Sequence, residues 1–279
     1  MVRLTAGFTV DFGLAKEPSS STFSFRAGTR LLQGTFLETA NTNAEAAGSS
    51  YQFDYQDSWH SGSLGSSWYS WMWKRAPNYF DVVAYTGNGA NRTINHNLGV
   101  APEMMWVKRR NTADDWAVYY GDPTDYLELN TTEATDDNSY FWNDTATTET
   151  VFSLGANVGV NGSGSTYIAY LFASLDGVSK VGSYTGNGSS QNIDCGFSSG
   201  ARFVLIKRSD SSGDWNFYDT ERGIVAGNDS RLSLNTTDAE DTSNDRVDPY
   251  SSGFTVNYIA TGTSDSNISG ATYIFYAIA

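Results

Sequence analysis

Two histidines, His60 and His96, and one cysteine, Cys195, are the only imidazole and thiol groups in the 279 residues. A Ser-His-Asp or Cys-His nucleophile needs an imidazole held against it. Neither histidine recurs in the internal copies described below, and His96 aligns with Cys195. A position that accepts either side chain carries no fixed chemical demand, so Cys195 reads as a small, half-buried residue. No Cys/His cluster with zinc spacing and no Asp-x-Asp-x-Asp-Gly calcium loop occurs. Calcium could be held at Asp114-Asp115, at Asp136-Asp137 or in the loop Asp210–Asp214, but carboxylates in such Ser/Thr/Asn-rich stretches more often cap turns. No catalytic residue, metal or cofactor is therefore assigned. With 31 Asp and Glu, glycan hydrolysis by two converging carboxylates stays open as the enzymatic alternative, a polysaccharide depolymerase.

Aromatic residues point to binding. Trp59, His60, Trp68, Trp71 and Trp73 crowd one stretch beside Lys74 and Arg75. Flat rings stack on the apolar faces of sugars while neighbouring polar groups read the hydroxyls. Trp59 and His60 lie in a Ser/Gly/Asp-rich loop, which predicts surface exposure, so Trp59, His60 and Trp68 are candidate ligand-binding residues. Trp71 and Trp73 alternate with Tyr69 on one strand face, which favours core or subunit packing. The segment Arg222–Asn228 is an insertion with no match in the preceding copy. It makes Arg222 and Asn228 a second candidate contact.

The elements that must position these residues are repeated. Tyr85-Thr86-Gly87-Asn88-Gly89 returns as Tyr184-Thr185-Gly186-Asn187-Gly188, and Tyr85–Trp116 aligns without a gap on Tyr184–Trp215. A diverged third copy stands in front: Asp11–Lys16 matches Glu103–Lys108 and Arg202–Lys207, Phe23 takes the place of Trp116 and Trp215, and Asn41-Thr42 echoes Asn130–Thr132. Each copy closes on an aromatic strand (Trp68–Trp73, Thr166–Leu171, Thr272–Ala277), but the front copy lacks the Tyr-Thr-Gly-Asn-Gly strand. Gly87-Asn88-Gly89 joins two strand-like segments, so it does not read as a phosphate-cradling loop before a helix.

Period-two alternation and scarce helical periodicity predict an all-β chain of tandem antiparallel β-sandwich, jelly-roll-like repeats, the first incomplete: 1–80, 81–178 and 179–279. Both faces of the closing strands are apolar in the second and third repeats, as in an interior strand. Asn130–Glu133 and Asn235–Asp238 read as helix starts, with Asn as the cap. Trp116 and Trp215 read as shared core residues. Lys16, Lys108 and Lys207 recur at a strand end, where they would snorkel over the sheet edge or guard it.

Net charge is −14. Such a surface repels phosphates and anionic lipid, which argues against nucleic acid and membrane partners. No apolar run has the length of a membrane span or of a signal-peptide core.

The motif series Tyr-Thr-Gly-Asn-Gly, Asn97–Pro102, Val107–Arg109, Asp115–Tyr119 and Asn161–Phe172, with the link Lys74–Val83, resembles the repeated domain of unknown function found in tail-fibre-like and other structural proteins of marine bacteriophages. That resemblance spans nearly the whole chain and implies a β-rich virion protein exposed on the particle surface, without supplying a site residue. The expected role is a tail-fibre or appendage subunit that adheres to a host surface glycan or protein. The expected partners are other virion proteins and further copies of the chain, a trimer being favoured. A capsid decoration or cement protein is the alternative.

Overall fold

The computed structural model describes residues 3–48, 51–61, 65, 67–259 and 266–279. Three large antiparallel sheets dominate it, one from each repeat. In the second repeat the strands run, in spatial order, Asp136–Asp137, Asp125–Glu128, Trp116–Tyr119, Met104–Arg109, Thr166–Phe172 and Phe80–Thr86. The third repeat orders Ser179–Thr185, Thr272–Ile278, Phe203–Arg208, Trp215–Asp219 and Leu232–Ser233 in the same way. In the first repeat, Tyr69–Trp73, Phe12–Lys16, Arg26–Thr29, Thr35–Glu38 and Ala46–Ala47 form the sheet, and no described strand pairs with the second edge of Tyr69–Trp73. A small second sheet covers one face of each: Arg3–Thr5 with Ser58–Ser61 and Tyr51–Gln52, Arg92–Asn95 with Val151–Leu154, and Gln191–Asp194 with Gly253–Val256 and Val247–Tyr250.

Alternation then explains why the central strands are apolar on both faces. Ile168, Tyr170 and Phe172 point into a core shared by all three repeats, whereas Tyr167, Ala169 and Leu171 point into a core private to the second. Ile274 and Tyr276 divide from Tyr273, Phe275 and Ala277 in the same manner. Rings from neighbouring repeats meet in the shared core: Phe12 lies 4.5 Å from Tyr170, Phe172 4.9 Å from Tyr276, and Trp73 5.7 Å from Phe203. Each repeat is thus a sandwich whose main sheet has a second buried face against the other two.

Polar contacts close the three repeats into a ring. Lys16, Lys108 and Lys207 are fully buried. Lys108 Nζ donates to Asp114 O and Arg109 O in its own repeat and to Thr42 O of the first (3.2 Å). Lys207 Nζ donates to Gly213 O and to Thr132 O of the second repeat (3.0 Å), and Lys16 Nζ to Ser20 O, Phe23 O and Thr237 O of the third (2.9 Å). These lysines do not snorkel, because an ammonium with three donors satisfies converging carbonyls that no water reaches. Main-chain bonds repeat the cycle, with Glu45 N donating to Arg110 O, Thr135 N to Ser209 O, and Glu240 N to Pro18 O. Trp116 Nε1 donates to Glu38 O and Trp215 Nε1 to Glu128 O.

Register corrects the front repeat. Phe25, not Phe23, stands where Trp116 and Trp215 stand: Thr39 N donates to Phe25 O as Leu129 N does to Trp116 O and Leu234 N to Trp215 O. A phenyl ring has no N–H to give in place of the indole, and Thr39 Oγ1 bridges that seam by donating to Leu234 O (2.6 Å). Asn130 and Asn235 cap no helix. Their Oδ1 atoms accept from Trp116 N and Trp215 N, and their Nδ2 atoms donate to Asp115 and Asp214. Among the described residues the short helices are Ser139–Trp142 and Val158–Asn161, capped by Asn138 and Asn157, with a 3-10 turn at Arg30–Leu32.

The Tyr-Thr-Gly-Asn-Gly motif is also architectural. A Cβ on Gly87 would lie 2.4 Å from Gly162 O, and one on Gly186 2.2 Å from Ile268 O. Gly89 and Gly188 hold φ of +74° and +70°. Tyr85 and Tyr184 hydroxyls donate to Val160 O and Ser266 O, while buried Asn161 and Asn267 accept from Asn88 N and Asn187 N.

Burial lowers the three lysines from 10.5 to about 8. Above pH 8 the folded lysines release protons that unfolded lysines still hold, so stability rises with pH in that window. From pH 9 the opposite holds for Cys195, whose thiol burial pushes up to about 12, and from pH 10 for buried tyrosines such as Tyr218, also pushed to about 12. The urea midpoint is expected to rise from pH 8 to 9 and turn over near pH 10. A midpoint that falls steadily from pH 8 would contradict the lysine assignment.

Candidate functional site

The expected aromatic platform is not at the surface. Trp59 is 0% exposed. It lies over Gly13, where a Cβ would come within 2.6 Å of its ring, and it stacks on Phe53 at 5.0 Å. Gly13 occupies the register position of Met105 and Val204, so Trp59 fills the volume that those side chains take in the other repeats. Its Nε1 donates to Ser70 Oγ (3.0 Å). His60 is buried next to it in the strand Ser58–Ser61. Trp59 and His60 thus stand in a covered strand, Ser58–Ser61, and not in the exposed loop that the Ser/Gly/Asp composition suggested; residues 62–64 and 66 of that stretch lie outside the described residues. Trp68 is half-buried, with its ring 5.5 Å from Phe23 and Arg26 over it at 5.1 Å.

Arg222 is a seam residue. Its side chain is 2% exposed and pairs with Asp219 (2.7 Å) and Glu240 (2.8 Å), and its guanidinium lies 5.4 Å above the Trp71 ring. Trp71 Nε1 in turn donates to Asp219 Oδ2 (3.1 Å). An Arg with that many partners joins the third repeat to the first and has no donor face turned to solvent. Asn228 is exposed at the far end of the insertion. The structure therefore does not bring Trp59, His60, Trp68, Arg222 and Asn228 together into one site.

The acidic stretches are satisfied internally. Asp114 pairs with Arg109, Asp115 accepts from Asn130, Asp136 accepts from the Tyr126 hydroxyl, and Asp210 pairs with Arg208. Among the described residues no group of three or more His, Cys, Asp and Glu has the arrangement of a metal site. No described helix is long and apolar enough to cross a membrane.

A large open groove lies instead at the seam between the second and third repeats, with a volume of about 680 Å³. One wall is the strand Ser179–Thr185 with Thr272–Ile274 behind it. The other is the turn Tyr120–Pro123 with Glu103. Exposed Ser183, Thr185, Thr272 and Asp122 offer hydroxyl and carboxylate oxygens, and Tyr184 stacks on Tyr273 at 5.0 Å beneath them. Tyr120 is held in the wall by its hydroxyl, which donates to Asp125 (3.0 Å). Its lining includes no lysine, arginine, histidine or cysteine. Such a surface can hydrogen-bond a neutral or cationic polar ligand and repels an anionic one. Sequence reasoning missed it because its walls come from different repeats, and nothing within one repeat marks a seam.

Two outcomes follow for the buried groups. Trp59→Ala should cost about 3–5 kcal/mol of stability, the range for emptying a buried indole site; a loss below 1 kcal/mol would place Trp59 outside the core. Cys195, buried and with its thiol raised to about 12, should fail to react with a disulfide reagent at pH 8 until urea unfolds the chain.

A family profile described as Domain of unknown function (DUF7483) matches residues 43–279. No curated protein and no solved structure matches the chain. The match begins within the first repeat and takes in all of the second and third, so the chain belongs to the DUF7483 family, whose function is unknown.

Proposed function

We propose that this chain is a structural, adhesive protein of a bacteriophage virion, a tail-fibre or appendage subunit that binds a host surface glycan through the groove between its second and third repeats. The observation that carries the binding role is that groove: about 680 Å³, walled by hydroxyls, two carboxylates and tyrosine. Neutral sugars present hydroxyls that such oxygens can meet, and a groove of this charge selects against phosphorylated or sialylated ones. The proposed role is binding without turnover: Glu103 is held by Ser174 N and Asp122 by Thr124 N and Oγ1, and the two are not left as a converging pair. The virion setting rests on the motif resemblance described above. Three repeats sharing one core make a stiff body with short links, the mechanical property a fibre or appendage needs. Trimerisation would join such bodies through surfaces outside the shared core.

Ser183 is exposed in the groove wall, so Ser183→Trp should fill the groove without touching a core. Binding of the purified protein to neutral host-envelope glycans on an array should fall at least tenfold in this variant, with an unchanged melting temperature. Binding that survives Ser183→Trp would move the contact elsewhere. No binding of the unaltered protein to any host-envelope glycan or to host cells would sink the adhesive reading.

A further inference from the structure

In the second and third repeats the closing strand is an interior strand. Thr166–Phe172 has Met104–Arg109 on one side and Phe80–Thr86 on the other, and Thr272–Ile278 has Phe203–Arg208 and Ser179–Thr185. In the first repeat the same strand, Tyr69–Trp73, pairs among the described residues with Phe12–Lys16 only. The register assigns its positions. Trp73, Phe172 and Ile278 are equivalent, because their carbonyls accept from Asp11 N, Glu103 N and Arg202 N. Trp71 is then equivalent to Tyr170 and Tyr276, and by count Trp68 to Tyr167 and Tyr273.

The two filled edges show what such an edge holds. Opposite Phe172 and Tyr170 sit Phe80 and Val82, both in the shared core; opposite Ile278 and Tyr276 sit Ser179 and Val181. Tyr85 stacks on Tyr167 at 5.2 Å and Tyr184 on Tyr273 at 5.0 Å. At the first repeat a groove of about 210 Å³ runs along the whole unpaired strand, closed on its far side by Asp219–Glu221 and floored by Phe203, Ile278 and Ala279. Tyr69 is 44% exposed there, and Trp71 and Met72 are only half-buried, in contrast to the fully buried Tyr170, Leu171 and Tyr276. The strand ends of the other repeats show the continuity. The chain leaves Trp73 to become Phe80–Thr86 on the second sheet, and leaves Phe172 to become Ser179–Thr185 on the third. In the same cycle the outer edge of the first sheet is the one that no described strand occupies.

We propose that the outer edge of Tyr69–Trp73 is a strand-acceptor site, completed by an extended segment of a different polypeptide, not a second copy of this chain, with the chemistry of Phe80–Thr86 and Ser179–Thr185. The segment runs antiparallel to Tyr69–Trp73, places apolar side chains opposite Trp73 and Trp71, and sets a tyrosine on Trp68 before a Gly-Asn-Gly turn. Main-chain hydrogen bonds supply affinity, and the alternate apolar positions supply specificity. The site is independent of the glycan groove, which lies at a different seam.

The test uses the whole protein and a synthetic 13-residue peptide of the sequence 78–90, carrying a photo-crosslinking phenylalanine analogue in place of Val82. Saturable binding is expected, with crosslinks to Trp71 and its neighbours and slowed amide exchange across Tyr69–Trp73. A peptide with Val82→Asp should bind at least tenfold more weakly, since it would bury a carboxylate where the other repeats bury valine. No binding up to millimolar peptide, while Tyr69–Trp73 amides exchange freely, would overturn the proposal. So would crosslinks confined to another edge, or light scattering that shows a dimer with these amides already protected, since the edge would then be closed by a second copy of this chain.

Discussion

Three buried ammonium groups hold the structure together at its seams. Lys16, Lys108 and Lys207 end equivalent strands, and each reaches backward to a carbonyl of the neighbouring repeat, so the third repeat is tied to the first as the first is to the second. Each charge is taken out of water and is stabilised by oriented carbonyl dipoles and by nearby carboxylates (Glu17 and Asp238, Asp114 and Asp115, Glu133 and Asp214), a balance that burial alone would tip toward loss. Arginine's planar fork would not fit two or three carbonyls converging on one point, and an apolar side chain would leave them without a donor. The indole N–H bonds of Trp116 and Trp215 and the hydroxyl of Thr39 lie beside these contacts and bridge the same seams.

From this closure follows the division of the hydrophobic residues. A main sheet with one face on a private core and one on a shared core needs apolar side chains at every position of its central strands. Met104–Val107, Ile168–Phe172 and Phe203–Ile206 are of that kind. The first repeat meets the same demand with fewer residues: it gives up the Met105 and Val204 side chains at Gly13 and inserts Trp59 from the covering strand. The resource that looked like a binding surface is spent on the core.

The closing strands were legible almost to the residue, because alternation is a local signal. Read as Trp68–Trp73, Thr166–Leu171 and Thr272–Ala277, they run Tyr69–Trp73, Thr166–Phe172 and Thr272–Ile278. Less legible was anything that depends on a seam. The lysines recur in all three copies, which signals a fixed role, but periodicity cannot say that a strand end is capped by another repeat rather than by water. The two-residue slip between Phe23 and Phe25 arose because the front copy has a turn one residue longer after Lys16, nine residues to Phe25 against eight from Lys108 to Trp116, and only pairing fixes where the next strand enters. Asn130 and Asn235 carry a helix-cap side chain, yet the same amide serves as well to staple two strand ends, and tertiary geometry decides between the two. Among the candidate ligand residues, loop-like composition misled at Trp59 and His60, and an insertion misled at Arg222, because an insertion can be packed inward as readily as outward.

If the ring of lysine and tryptophan contacts joins three sandwiches into one core, the chain must unfold as one cooperative unit. Scanning calorimetry on the whole protein tests this directly, with the melt repeated for Gly13→Val, which forces Trp59 aside in the first repeat alone. The expected result is a single transition with calorimetric and van't Hoff enthalpies equal, shifted downward as a whole by the substitution. Two or three transitions, with only one of them moved by Gly13→Val, would show three independently stable sandwiches and contradict the shared core.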